Sequence, residues 1–182
     1  SKTTNTVKFV AVRYGNVLDS RGSILPLFNH QVRCQDFLTL THGDMTRFLM
    51  TLDDSVDLIL TTIEKGKSGE TWIPKLNAMR IIDLAEIYAE MHDKKIKVTG
   101  IRPGEKIHES LISESESIRV VEQKNHYVIS PSYDQPISDK IFEYSSEGSC
   151  LSKHDLKLYL DSLNILDRSS DSFVGKKIQE YK

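Results

Sequence analysis

The run Arg102-Pro103-Gly104-Glu105-Lys106 sets a fork of hydrogen-bond donors and a carboxylate on either side of a tight corner. A guanidinium holds its donors in one plane and matches a diphosphate. Pro103 fixes φ and Gly104 admits φ > 0, so the chain can turn sharply between them. That corner can aim Arg102 and Glu105 at one ligand, with the carboxylate accepting hydrogen bonds from a ribose diol. Taken alone, the run equally describes an exposed turn before a helix. Arg47, in Asp44-Met45-Thr46-Arg47-Phe48, is read between a strand and a helix. Coming from a separate element, it can approach a second phosphate from another side; the competing reading is an ion pair with Asp44 or Asp53. Asn16 carries an amide that can both donate and accept, or simply close an Asx turn after Gly15. Gly22-Ser23-Ile24-Leu25-Pro26 offers backbone groups and an apolar wall to a flat base, or a plain helix start capped by Ser23. Phe37 is a further surface on which a base can pack, and Leu38 and Trp72 are read as core.

The elements around these groups follow from periodicity and breakers. Residues 7–14, rich in β-branched and aromatic side chains, predict a buried parallel strand that opens into a loop at Gly15-Asn16. Ligands of open α/β sheets sit beyond such carboxyl ends. Residues 25–34 predict a short helix and residues 37–41 a strand. Thr51 starts a helix that ends at Gly66, with Val56, Ile59, Leu60 and Ile63 on one face. A strand over 70–74 and a helix over 81–91 follow, the helix with Ile82, Ala85, Ile87, Tyr88 and Met91 mostly inward. A strand over 95–100 then delivers the Arg102 corner. His108 reads as an exposed helix residue. Residues 113–117 read as a polar loop, residues 118–121 and 126–129 as a hairpin, and Ser152 as the cap of a last helix to about residue 163. The organisation expected is one α/β unit over residues 1–166 and a polar tail over 167–182 that frays or docks.

Composition narrows the function classes. The chain has 182 residues and a net charge of −2, enough for one domain with a real core and without the basic field that nucleic acid requires. No apolar run approaches the ~20 residues of a bilayer span, and no signal peptide opens the chain, so a cytoplasmic setting is expected. The two cysteines, Cys34 and Cys150, lie far apart in sequence with no metal-type spacing, which predicts free thiols. The histidines are scattered and make no metal set. A strand within a few positions of Ser1 gives the expectation of a piece of a longer protein.

The order of Arg13-Tyr14-Gly15-Asn16-Val17, Ser20-Arg21-Gly22-Ser23, Met45-Thr46-Arg47-Phe48, Ile73-Pro74-Lys75 and Ile101 to Lys106 resembles the C-terminal half of the extended short-chain dehydrogenase/reductase family. Within that family the likeness is to the inverting UDP-N-acetylglucosamine 4,6-dehydratases, and Phe142-Glu143-Tyr144-Ser145-Ser146 is similar to their tail. The resemblance covers roughly residues 7–163. It implies the last strands of a Rossmann-like sheet plus the small substrate-binding region. It also implies that Asn16 touches the sugar or phosphate, that residues 22–26 line a uridine pocket, and that Arg47 and Arg102 clamp the diphosphate. Tyr14, Asn16 and Val17 would meet the nicotinamide edge of NADP. Asp19 departs from the pattern, which has Gly there, and a negative charge before the turn would tend to repel an anion.

The catalytic parts of that family are not in this sequence. Its nine glycines make no dinucleotide turn, and none of its seven tyrosines is followed four residues later by lysine. The resemblance therefore implies a UDP-sugar-binding half, inactive by itself, that works with an N-terminal Rossmann half in cis or in trans and forms homo-oligomers as the family does. A non-catalytic remnant or scaffold, or half of a UDP-sugar 4-epimerase, remains the alternative.

Overall fold

The computed structural model describes residues 7–20, 22–131 and 138–166. The first half runs β1 (Ala11–Val12), α1 (Ile24–Cys34), β2 (Phe37–Leu40), β3 (Thr46–Phe48), α2 (Leu52–Lys65), β4 (Thr71–Pro74) and β5 (Ala78–Arg80). It continues through α3 (Ile81–His92), β6 (Lys95–Val98), β7 (Ser110–Ile112), α4 (Glu114–Ser117), β8 (Val120–Glu122), β9 (His126–Ile129), β10 (Tyr144–Ser145), a 3₁₀ turn (Ser146–Ser149) and α5 (Lys153–Ser162). One sheet has the order β1-β4-β9-β8, parallel at β1/β4 and antiparallel elsewhere. β2 and β6 pair in parallel, whereas β3/β5 and β7/β10 are antiparallel. The α/β class expected from sequence is the one found, as are the hairpin and the Ser152 cap, whose hydroxyl accepts from the Asp155 N–H at 3.1 Å. The tail over 167–182 lies outside the described residues.

Three apolar clusters hold these layers. Phe28, Leu38, Leu40, Leu84, Ile87 and Tyr88 fuse α1, β2 and α3. Phe48, Ile73, Leu111 and Ile112 form a second cluster, and Met50, Leu58, Trp72 and Val128 a third beneath α2. Trp72 and Leu38 are core, as read. The Phe142 to Ser146 segment closes the second cluster: the Tyr144 hydroxyl accepts from the Leu76 N–H at 2.7 Å and donates to the Leu76 carbonyl at 3.1 Å.

Several sequence expectations need correcting. The first strand is not buried over residues 7–14; only two residues pair, at the sheet edge, and Val7 and Phe9 are 71% and 73% exposed. Residues 113–117 are not a loop, because Ser113 and Glu116 close a capping box that starts α4. Met91 lies on the outside of α3, and His108 stands in an irregular segment rather than on a helix. The α2 stripe does share one face, as expected, but that face is not the inward one. The inward residues of α2 are Ser55, Leu58 and Thr62, while the apolar stripe Val56, Ile59, Leu60 and Ile63 faces outward. The buried hydroxyls are satisfied by the helix itself, Ser55 donating to the Leu52 carbonyl at 2.6 Å and Thr62 to the Leu58 carbonyl at 2.7 Å. A hydroxyl bonded this way can enter a core without an unpaired polar atom.

Candidate functional site

The carboxyl ends of the parallel pair β2/β6 lie side by side, with the Thr99 N–H bonded to the Leu40 carbonyl at 2.8 Å. Each strand therefore releases its next residues at one point: Thr41 after β2, and the Arg102 corner after β6. The corner is the turn its sequence demands. The Glu105 N–H reaches back to the Arg102 carbonyl at 3.0 Å, and Gly104 has φ +81 at the third position, where a side chain would be strained. The Glu105 carboxylate accepts from the Arg102 N–H at 3.1 Å and from the Thr41 hydroxyl at 3.4 Å. It is thereby fixed beside the base of the Arg102 side chain. The Arg102 guanidinium makes no hydrogen bond or ion pair among the described residues.

These groups open onto a cavity of about 240 Å³. One wall is the loop after β1, with Asn16 and Val17, held where the Leu18 N–H bonds the Met50 carbonyl at 2.7 Å. Gly15 makes this possible, because a Cβ there would stand 2.4 Å from the Phe48 Cβ. Gly22, Ser23, Ile24 and Leu25 bring the start of α1 to the opposite wall, and Leu40, Met45, Phe48, Met79 and Ile81 make an apolar floor. Arg47, Arg102, Glu105 and Thr41 complete the lining. The first turn of α1 has no acidic residue, so the positive end of its dipole is not cancelled. The Ser23 hydroxyl makes no cap bond; its oxygen is buried and has no partner among the described residues. Asn16 makes no Asx turn, since no side-chain bond from it exists among the described residues. Of the expected site residues, the structure thus gathers Asn16, Val17, Gly22, Ser23, Ile24, Leu25, Arg47, Arg102 and Glu105 around one space.

Three expected residues are elsewhere. Phe37 begins β2 at the end remote from the site, its ring lies under the Lys97 ammonium at 5.2 Å, and it is not part of the cavity lining. Pro26 sits inside the first turn of α1 and shapes the helix without reaching the lining, and Tyr14 stays outside the cavity. Asp19 is not part of the lining either. Its φ of 56 explains why glycine suits that position, and aspartate tolerates the same left-handed backbone.

Arg47 needs the sharpest correction. It lies within β3 rather than between elements, and neither Asp44 nor Asp53 is its partner. One terminal nitrogen donates to the Thr46 and Ile107 carbonyls at 2.7 and 3.0 Å, the other to the Lys106 carbonyl at 2.8 Å, and Nε faces Glu109 at 3.4 Å. A guanidinium has five N–H donors, so this arrangement leaves one for a ligand. Arg47 chiefly holds the segment that follows the Arg102 corner. Beneath it, the Thr46 hydroxyl meets His108 Nδ1 at 2.9 Å and Ser146 Oγ at 2.6 Å, while Ser146 also accepts from the Glu109 N–H at 2.9 Å. No spacing rule exposes this network, whose members come from three distant parts of the chain. Thr41 was findable, since it is the first residue past a strand's carboxyl end.

A second fixed point is the Arg13–Glu116 pair, bidentate with both contacts at 2.9 Å, which ties the exit of β1 to α4. The Arg13 hydrogen bonds, helped by Ser113, hold the Glu116 carboxyl down at about 2 against the opposing effect of burial.

Residues 1–131 match the family described as "Polysaccharide biosynthesis protein". The chain is 39% identical over 168 residues, 87% of itself and 50% of the relative, to a Methanocaldococcus jannaschii protein named only as an uncharacterized membrane protein. It is 39% identical over 142 residues to the UDP-N-acetylglucosamine 4,6-dehydratase (inverting) of Campylobacter jejuni, covering 78% of this chain and 42% of that one. With the UDP-glucose 4-epimerase of Rickettsia conorii the identity is 44% over 119 residues, 64% of this chain and 35% of that one. Among solved structures, Pen from Bacillus thuringiensis superposes with a TM-score of 0.79 at 32% identity, over 87% of this chain and 50% of that one. The chain spans half the length, or less, of these relatives. Among the described residues no helix is long and apolar enough to cross a membrane, and no group of side chains could hold a metal ion.

Proposed function

The chain belongs to the polysaccharide biosynthesis protein family, and from that premise we propose that it is the UDP-sugar-binding half of an inverting 4,6-dehydratase. Its fold is the C-terminal part of an extended short-chain dehydrogenase/reductase. The observation that carries the reading is a cavity that presents the Arg102 guanidinium and the buried Ser23 hydroxyl, both without a partner among the described residues, together with the start of α1. A diphosphate satisfies the guanidinium and the helix N-terminus together. Glu105, positioned by Thr41, suits the ribose hydroxyls, and the apolar floor suits the flat base.

The residues present do not fit a whole dinucleotide. No glycine-rich turn offers backbone N–H groups to a pyrophosphate, and Asn16 and Val17 can touch only one edge of a nicotinamide. NADP chemistry in this reading belongs to the half of the fold that the chain does not span. This chain contributes orientation of the sugar nucleotide, which is proximity rather than bond-making.

Isothermal calorimetry with UDP tests the reading. Binding heat that is lost in Arg102→Ala supports it; no heat at millimolar UDP favours a scaffold that keeps the fold without the ligand. The epimerase likeness supports a second reading, half of a UDP-sugar 4-epimerase. The dehydratase match extends over 78% of the chain against 64% for the epimerase, which favours the first. Joined to a Rossmann half, a dehydratase yields 4-keto product and an epimerase does not accumulate it.

A further inference from the structure

We infer that His108 is a positioning residue for the Arg102 corner, held as the tautomer that carries its hydrogen on Nε2 and accepts at Nδ1. The inference rests on the reading above and adds what keeps the diphosphate-binding turn in place. The corner is anchored at one end where β6 ends, through the Thr99 N–H on the Leu40 carbonyl. At its other end, residues 106–109 belong to neither strand nor helix and are held crosswise. The Ile107 carbonyl accepts from the Thr46 N–H at 2.9 Å. Glu109 exchanges two bonds with Ser146: its N–H donates to Ser146 Oγ at 2.9 Å, and its carbonyl accepts from the Ser146 N–H at 2.8 Å. Between those two clamps stands His108, whose Nδ1 meets the Thr46 hydroxyl at 2.9 Å.

The available hydrogens fix the direction of these bonds. Thr46 is 3% exposed and Ser146 0%, so neither hydroxyl can turn to water. Each has one hydrogen to give. The Glu109 N–H can only donate, so Ser146 Oγ accepts there. Ser146 Oγ and Thr46 Oγ1 lie 2.6 Å apart, and His108 Nδ1 follows. If the chain runs from Glu109 through Ser146 and Thr46 to His108, every hydrogen meets an acceptor and the last meets a bare Nδ1. If it runs the other way, from an Nδ1–H through Thr46 to Ser146, the Ser146 hydrogen has no acceptor among the described residues. A buried hydroxyl left so is costly. The first direction is therefore the one occupied, and it leaves the His108 hydrogen on Nε2, 3.9 Å from the Glu147 carboxylate. Thr46, His108 and Ser146 do not line the cavity, so they act on a ligand there through the corner.

Two measurements without nucleotide test this first. Long-range proton–nitrogen NMR of the imidazoles, with the His108 signals identified by their loss in His108→Asn, should show the Nε2–H tautomer in the parent at neutral pH. Thr46→Val should remove that bias. His108→Phe keeps a ring but no acceptor, and it strands the Thr46 hydrogen. Amide exchange at Arg102 and Glu105, whose N–H groups close the corner, should then speed up at least ~10-fold. His108→Asn restores an acceptor near the place of Nδ1 and should hold exchange within ~3-fold of the parent. Calorimetry with UDP should follow the same order, with binding about 10-fold weaker in His108→Phe and within ~3-fold of the parent in His108→Asn. An Nδ1–H tautomer, a tautomer indifferent to Thr46→Val, or equal behaviour of the two His108 variants would overturn the proposal. The spectra of the parent and of Thr46→Val decide even where His108→Phe does not fold. If the parent binds no UDP, the nucleotide reading fails, while the tautomer and the exchange rates still decide this one.

Discussion

Arg47→Ala and Arg102→Ala should fail in different ways, because one guanidinium is committed to the protein and the other is not. Arg47 is only 14% exposed and donates to three backbone carbonyls while facing Glu109. Deleting it leaves those carbonyls and the Glu109 carboxylate short of a donor. Charge-assisted bonds contribute ~1.5–3 kcal/mol each in isolation, but water reaches the Lys106 carbonyl, and shared geometry prevents simple addition. A loss of ~2–4 kcal/mol is the resulting expectation. For a chain of this size that lowers Tm by roughly 5–12 °C. Arg102, exposed and unpartnered, should leave Tm within ~1 °C when replaced. Its loss from a diphosphate complex should instead cost ~2 kcal/mol, about a 30-fold weaker Kd for UDP, and make binding less sensitive to salt. Thermal unfolding and calorimetry on the two variants read both quantities. If Arg47→Ala keeps the parent Tm and loses UDP binding as completely as Arg102→Ala, the positioning assignment is wrong and Arg47 is a direct ligand.

Two further outcomes follow from the same geometry. Ser23→Ala removes a hydroxyl that neither caps α1 nor meets a partner among the described residues, so stability should hold or rise slightly while UDP affinity falls ~3- to 10-fold; a clear drop in Tm would show that the hydroxyl is structural. For Glu116, the folded carboxyl titrates at about 2 against an ordinary 4.5, a depressed value, so its stabilisation is complete above the unfolded pKa and is lost as pH falls from about 4.5 toward 2. The full gap corresponds to at most ~3 kcal/mol, and screening of the part-exposed pair reduces it to ~1–2 kcal/mol. Urea unfolding at pH 7 and pH 3 should therefore show the parent losing more stability than Glu116→Gln, and parallel curves would discount the pair.

What the sequence made legible was whatever depended on neighbours a few residues apart. The Arg102 turn is specified by Pro103 and Gly104 in adjacent positions, and its hydrogen bond is found where those residues require. The hairpin of β8 and β9 and the cap of α5 are local in the same sense. Arg47 shows the limit of such reasoning. Its residue type fits a phosphate clamp, but the three carbonyls that claim its donors are brought in by β3 and by the segment before β7, and nothing near position 47 announces them. Glu116 and Arg13 escaped for the same reason.

The helix α2 shows a different limit. Periodicity correctly grouped Val56, Ile59, Leu60 and Ile63 on one face, and the Thr51–Asp54 capping box fixed where the helix starts. Which face turns inward is decided by the sheet it lies on, and that sheet receives Ser55, Leu58 and Thr62. An apolar stripe usually marks the core side because burial contributes ~25 cal/mol per Å². Here the described residues leave that contribution unrealised along four turns of helix, directly beside a strand with an open edge.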